Sequence, residues 1–326
     1  MKIIAHRNIL IGLGVAIVAV SAMIIGVLGL NLGIDFTGGS LTEVSYDSRP
    51  AKNIAEDGLN TLNLGNYSLR ESNDDAGRDG YILRSRDLNE PERISVETAM
   101  TTIGSGAELT RFTSIGPVIG QELKDKAVWA IAAVVAVIVI YVAFAFMGVG
   151  KPVGSWVYGS IVILVLAHDV IVPTALMALL GHFGGVEVDV LFVMALLAVL
   201  GYSVNDTIVV FDRVRENLIK YRTEKKRIVN APGGVKREEV AYSFNKPFAE
   251  IVGLSVNETL LRSFNTSFTT FLALVALYFF GGEVTKTFAL ILITGVAVGT
   301  YSSILLASPL LVWYAERSAS KSGVHE

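Results

Sequence analysis

The sequence predicts an α-helical membrane protein with six transmembrane helices and an α+β, ferredoxin-like extracytoplasmic domain between helices 1 and 2. Three observations carry that prediction. Of 326 residues, 52% are hydrophobic and only 17% charged, whereas a soluble domain carries about a quarter charged residues. Six apolar runs, at about 9–30, 127–147, 155–180, 189–211, 260–280 and 287–313, are long enough for a hydrocarbon core of about 30 Å, which takes roughly 20 helical residues. Between the first two runs lies a long polar segment, residues 31–126, with strand-like and helix-like patterns of its own.

The first run, ILIGLGVAIVAVSAMIIGVLGL, is too long for a signal-peptide core and lacks an A-x-A cleavage pattern, so it reads as an uncleaved span. GIDFTGG (33–39) has neither a Walker-type lysine nor a following helix, which excludes a phosphate loop. It reads as a tight exit from span 1. Residues 38–47 (GGSLTEVSYD) alternate as a strand, and residues 50–63, opening at Pro50, place Ile54, Leu59 and Leu62 on one helical face. NYSLRES (66–72) and GYILRSR (80–86) are two strands around the turn-rich NDDAGRDG. Residues 90–104 start with Glu90 and Pro91, carry Ile94, Met100 and Ile103, and read as a helix. Residues 107–114 (AELTRFTS) are a last strand. The order β-α-β-β-α-β is the ferredoxin-like pattern.

The chain thus divides into an N-terminus with span 1 (1–30), the outer domain (31–126), and spans 2–6 (127–326) with a basic cytoplasmic loop at about 213–258. Lys and Arg set the orientation. Lys2 and Arg7 precede span 1, Lys151 lies between spans 2 and 3, the 213–258 connection is rich in both, and Arg317 and Lys321 follow span 6. The opposite loops, 181–188 and 281–286, hold only Lys286. Both termini are therefore placed in the cytoplasm. The connection, with APGG (231–234) and Pro247, reads as a continuation of span 4, a loop, and an amphipathic approach to span 5. Its EKKRI (224–228) is basic as loops beside anionic lipid are, and no nucleic acid is expected as partner. In span 6, Gly295, Gly299, Ser303 and Ala307 recur every fourth residue, a small-residue stripe for close helix packing within the bundle.

Composition also excludes chemistry. There is no cysteine, hence no disulfide and no thiolate metal site. The histidines (His6, His168, His182, His325) are scattered, and no nucleophile–base pair or metal-spaced cluster is visible, so no enzyme and no bound metal is expected.

What remains is a set of ionisable residues inside the spans. GYSVNDTIVVFDRVREN (201–217) continues span 4 yet contains Asn205 and Asp206. An Asp at the centre of a membrane helix costs about 2.5–3.5 kcal/mol, and such residues face bundle interiors and mark ion or proton paths. From Asp189 the helix rises about 26 Å to Asp206 at 1.5 Å per residue, which puts Asp206 in the inner third of the bilayer. Two plainer readings stand beside this one: a carboxylate that only locks two helices, and a shifted span that leaves Asp206 wet. In span 5, Arg262, Asn265, Thr266 and Thr269 share one helical face, and Arg262 lies at a depth matching Asp206. A nearby cation favours an ionised carboxylate and burial a neutral one, so a movement separating the two would change the protonation of the acid. The plainer reading of Arg262 is a side chain snorkelling to headgroups. His168 and Asp169 sit near the middle of span 3, with Pro173 removing the helical donor to the Asp169 carbonyl. As i, i+1 neighbours they point to different faces, so at most one shares a surface with Asp206.

GIDFTGGS, SIGPVIGQEL (114–123), YSVNDTIVVFDRVREN, NETLLRSFNTSFTTFLAL (257–274) and VGTYSSILLASPL (298–310) together resemble the SecF family, part of the SecD/SecF group in the resistance-nodulation-division superfamily. The resemblance spans nearly the whole chain in order. It implies a proton-motive-force-coupled accessory subunit of the bacterial Sec protein translocase in the cytoplasmic (inner) membrane. It also implies SecD as partner, work beside the SecYEG channel on exported unfolded polypeptide, and no cofactor beyond the proton gradient. Asp206 matches the family's proton-path aspartate and Arg262 its functional arginine. Asn205, Thr266, Asp169 and His168 are possible contributors to the same region. The connection near 223–252 is longer than the usual family loop. Two other functions fit the residues alone: a half-transporter for a small solute, and a structural assembly subunit of a membrane complex.

Overall fold

A computed structural model describes residues 2–74, 77–146, 153–230 and 236–321. The turn holding Lys151, the APGG stretch and the centre of NDDAGRDG lie outside the described residues. Among those described, six helical stretches are long and apolar enough to cross a membrane. After a short α1 (Lys2–Ala5), they are α2 (Arg7–Leu28), α6 (Pro117–Ala145), α7 (Ser155–Gly184), α8 (Val190–Lys220), α9 (Phe248–Phe280) and a last span built from α10 (Glu283–Ser302), a π-helical turn (Ser303–Ala307) and α11 (Ser308–Lys321). The helices outrun the apolar runs. α6 starts at Pro117, ahead of the apolar run at Ala127, and α9 starts at Phe248, whose approach segment buries Ile251, Val252 and Val256.

The bundle has an inner and an outer set of helices. In α7, α8 and the last span, 56%, 44% and 50% of the most apolar stretch is buried, against 11%, 6% and 11% in α2, α6 and α9. Polar groups that must avoid hydrocarbon can therefore be housed only where the inner set meets its neighbours.

The outer segment holds α3 (Ile34–Thr37), β1 (Gly39–Ser45), α4 (Lys52–Asn60), β2 (Ser68–Asn73), β3 (Asp79–Ser85), α5 (Glu90–Thr102) and β4 (Glu108–Ile115). The strands form one antiparallel sheet in the order β2-β3-β1-β4, the ferredoxin-like arrangement. Asn89 and Glu92 form a reciprocal capping box that starts α5. Val44, Tyr46, Leu69, Tyr81 and Leu83 pack against Ala55 and Leu59 of α4 and Val96 and Met100 of α5. Of the residues expected to face inward, Leu59 and Met100 are buried and Leu62 and Ile103 pack at the edge of this core, but Ile54 and Ile94 are half-exposed, because the buried pairs 55/59 and 96/100 are the ones at i, i+4 spacing toward the sheet.

Two local elements differ from expectation. GIDFTGG is a tight exit from α2, but it contains the helical turn α3. Gly38 (φ +72) and Gly39 (φ +124) let it press between α6 and β3. A Cβ on Gly38 would lie 2.7 Å from Pro117 Cα, and one on Gly39 2.6 Å from the Ser85 carbonyl oxygen. The connection between spans 4 and 5 is not a plain loop. β5 (Arg222–Asn230) and β6 (Lys236–Phe244) pair as an antiparallel hairpin between α8 and α9. Its dense mixed charge hid this hairpin in the sequence.

The N-terminus of α8 is capped twice. Phe192 N–H donates to Asp189 Oδ1 at 2.8 Å, and Val190 N–H donates to Asp35 Oδ2 at 2.9 Å. Burial pushes the Asp189 carboxyl above its ordinary value; the Phe192 N–H opposes this and the Asp35 charge adds to it. An acid whose pKa is raised by folding makes the folded state less stable once both states are ionised. Asp189→Asn, which keeps an N-cap acceptor, should therefore raise the unfolding temperature of the detergent-solubilised protein at neutral pH. The gain should fade as pH falls through the raised value toward the ordinary aspartate range; a pH-independent difference would contradict the assignment.

Candidate functional site

Polar residues of α7, α8, α9 and the last span converge on one interior seam. Small residues make the approach close. A Cβ added to Gly295 would fall inside the Val199 side chain, and one on Gly299 would lie 3.1 Å from Ser203 Cβ. The Gly295–Gly299–Ser303 stripe thus lays α10 along α8 at residues 199, 203 and 207, the within-bundle packing its spacing predicts. Ser303 and Thr207 hydroxyls lie 2.9 Å apart at the end of that contact. The helix then widens into the π-turn Ser303–Ala307, a device that adds a residue to one turn.

Two carboxylates face this seam. Asp169 on α7 is fully buried. Its Oδ2 accepts from Ser203 and, at 2.8 Å, from Ser302, whose hydroxyl also lies 3.0 Å from the Gly299 carbonyl. Its Oδ1 lies 2.9 Å from His168 Nδ1. The i, i+1 pair therefore shares a contact after all, because both side chains turn into the interior. The His168 ring lies 5.8 Å from that of Tyr301, and its Nε2 has no partner among the described residues.

Asp206 on α8 is 3% exposed. Ser267 on α9 donates to its Oδ2 at 3.2 Å. Ser267 is a hub, because it also receives the Tyr202 hydroxyl at 3.0 Å and the Thr300 hydroxyl at 2.7 Å. One helical turn of α8 separates Ser203, bound to Asp169, from Asp206, so the two acids lie in adjacent polar clusters. The acids differ in how complete their bonding is. Asp169 is surrounded by three groups, whereas Asp206 has one long bond and acceptor capacity to spare.

The expected Asp206–Arg262 pair is not formed. Arg262 is exposed and makes no ion pair among the described residues, and Asn265, Thr266 and Thr269 are exposed with it. The Thr266 hydroxyl donates to the Arg262 carbonyl at 3.0 Å, and Asn205 is exposed on α8. The four residues do share a face, but equal depth does not make two helix faces meet. α9 has a second stripe, Ser255, Thr259, Ser263 and Ser267, again every fourth residue, and all four are buried. Small hydroxyls permit the close helix contact that a guanidinium would prevent, so this stripe faces the bundle and turns Arg262 outward. That spacing was the signal in the sequence for Ser267. On the same two helices the YSVNDTIVVFDRVREN and NETLLRS motifs meet through Arg213. Its Nε donates to Glu258 Oε2 at 2.5 Å, and Asn217 Nδ2 donates to the same oxygen at 2.9 Å.

A buried acceptor deprived of its donor costs about 1–3 kcal/mol. Ser302→Ala should therefore destabilise the protein by about that amount, whereas Thr266→Ala, which touches only its own helix, should stay within about 0.5 kcal/mol. Thermal unfolding in detergent measures both; equal effects would mean that Ser302 does not hold Asp169.

Two family models match the chain. The one for the SecD/SecF GG motif covers residues 24–48, and the one for protein export membrane protein SecD/SecF, C-terminal, covers 95–231 and 235–317. Among curated proteins, the protein translocase subunit SecF of Thermobaculum terrenum is 39% identical over 295 residues, 87% of this chain and 84% of that one. The subunit of the same name from Sebaldella termitidis is 35% identical over 313 residues, 95% and 91% of the two chains. Among solved structures, the crystal structure of SecDF, a translocon-associated membrane protein from Thermus thermophilus, matches with a TM-score of 0.79 at 29% identity over 97% of this chain. SecDF in a super-membrane-facing form matches with a TM-score of 0.64 over 98% of this chain. In both cases this chain spans 39% of the SecDF chain, about two fifths of its length.

Proposed function

The chain belongs to the SecF family of protein-export membrane proteins, and from that premise we propose that it couples the proton-motive force to polypeptide export through Asp206. The observation that carries the proposal is a carboxylate enclosed among α8, α9 and α10 with a single hydroxyl partner. An ionised carboxylate only accepts hydrogen bonds, while a protonated one also donates. Ser267 now donates to Asp206 and accepts from Tyr202 and Thr300. A proton arriving on Asp206 would reverse the sense of that bond and make Ser267 redistribute its contacts among three helices. Asp169, held by Ser203, Ser302 and His168, supplies the fixed wall against which they move. Each charge crossing the membrane brings about 2.3 kcal/mol per 100 mV, enough to bias a two-state packing of these helices.

Arg262 takes a different part in this reading. It sits on α9 among Leu261, Phe264 and Phe268, all exposed on this chain. A guanidinium at membrane depth pairs with something. The proposed partner is a homologous SecD chain, whose facing helix would present a carboxylate. The wider setting is the bacterial inner membrane beside SecYEG, with both termini cytoplasmic and the outer domain turned toward the emerging polypeptide.

Asp206→Asn, assayed in vesicles holding the full translocase, should abolish the gradient-dependent part of export while leaving folding and co-purification with the partner intact. Arg262→Gln should lower export and also weaken co-purification. Unchanged export in Asp206→Asn would overturn the proposal, and loss of assembly in that variant would assign Asp206 a purely structural part.

A further inference from the structure

The outer domain could have hung on its two chain connections to α2 and α6. Instead it is fastened to the short segment between α7 and α8, the helices that carry Asp169 and Asp206. From the helix-free face of the sheet, Arg84 of β3 forms an ion pair with Glu187, Arg70 of β2 lies 3.8 Å from the same carboxylate, and the Arg70 guanidinium donates to the Gly185 carbonyl. The chain leaving α2 joins the same segment through a single parallel β-bridge, Leu32 to Val188. Gly33 N–H donates to the Val188 carbonyl at 2.7 Å, Val188 N–H donates to the Asn31 carbonyl at 2.8 Å, and the Asn31 side chain reaches Gly185 and Val186. Asp35 of α3 then caps Val190, the first residue of α8. A charged cavity of about 190 Å³, lined by Asp35, Arg84, Arg111, Glu187 and Asp189, lies inside this joint.

We propose that Glu187 and Asp35 are positioning residues that lock the outer domain onto the α7–α8 segment, so that domain and helices move as one body. The inference deepens the proposed function, on which its functional half rests. Its mechanical half stands on the contacts alone. Burial, with the neighbouring Arg70 charge, lowers the Arg84 guanidinium to about 10, so at neutral pH it is still a cation facing the Glu187 carboxylate. Removing one member of a half-buried ion pair strands the other. α8 runs unbroken from Val190 to Asp206, about 24 Å at 1.5 Å per residue. A helix transmits axial displacement with little loss, so a shift at the Asp206 seam reaches the cap and, through Asp35 and Glu187, the sheet.

The test uses the full chain with its partner. Because the chain has no cysteine, Asp57→Cys on α4 and Phe183→Cys on α7, both exposed, take two spin labels without background. The label-to-label distance should be narrowly distributed and should keep its mean when a proton gradient is applied. Glu187→Gln and Asp35→Asn should broaden it and lower gradient-driven export several-fold. The charge swap Glu187→Arg with Arg84→Glu should restore both readouts, which separates a lost joint from a misfolded variant. An unchanged, narrow distance in Glu187→Gln, or a broadened distance with full export, would overturn the proposal. Failure of Asp206 as the proton site would appear separately, as full export in Asp206→Asn with the distance still narrow.

Discussion

Hydrocarbon offers no hydrogen bonds, so each polar group carried into it must find its partner inside the protein. That requirement organises this molecule. Two carboxylates enter the bundle on α7 and α8, and the neighbouring helices answer with hydroxyls, Ser203 and Ser302 at Asp169 and Ser267 at Asp206, with Thr300 bonded in turn to Ser267. Hydroxyls reach the acids only because the helices touch closely, and they touch closely because Gly295 and Gly299 on one side and Ser255, Thr259, Ser263 and Ser267 on the other carry almost no side-chain bulk. The small-residue stripes and the buried acids are thus one feature seen from two sides.

The same economy explains why the two acids differ. Asp169 is met from three directions and becomes part of the framework. Asp206 is met from one, by a serine whose other contacts run to two further groups. On the proposed reading a proton exchanged at the second site would change bonds among three helices, while one exchanged at the first would have to break a finished cage. At the outer end of α8 the requirement recurs in polar form: Asp189 and Asp35 satisfy the first amides, and Asp35 belongs to the linker that leads into the outer sheet. The helix carrying Asp206 is therefore continuous, through its own cap, with the domain built on that sheet.

Much of this was legible in the residues. Apolar runs marked all six spans, and period-two alternation around turn signals recovered all four strands of the outer sheet. The stripe in the last span named its own packing face. Where expectation failed, two patterns competed or a charge drew attention from quieter residues. α9 carries two polar faces, and the one with the arginine looked like the functional one, yet the buried face is the run of small hydroxyls ending at Ser267. Asp169 was underweighted because adjacent residues on a helix diverge; backbone spacing says nothing of two short side chains turning toward each other in a buried pocket. The α7–α8 joint was hidden because Glu187 and Arg84 are distant in sequence, and neither is unusual alone. The hairpin of β5 and β6 was masked by its dense charge.

On the proposed reading Asp206, not Asp169, is the acid that changes protonation while the bonds around Asp169 stay assembled. Infrared difference spectroscopy of the whole protein in lipid, recorded over a wide pH titration, observes this directly through the carbonyl stretch of a protonated carboxylic acid. A titrating acid band should disappear in Asp206→Asn and persist in Asp169→Asn. A band that survives Asp206→Asn and vanishes with Asp169→Asn would contradict it.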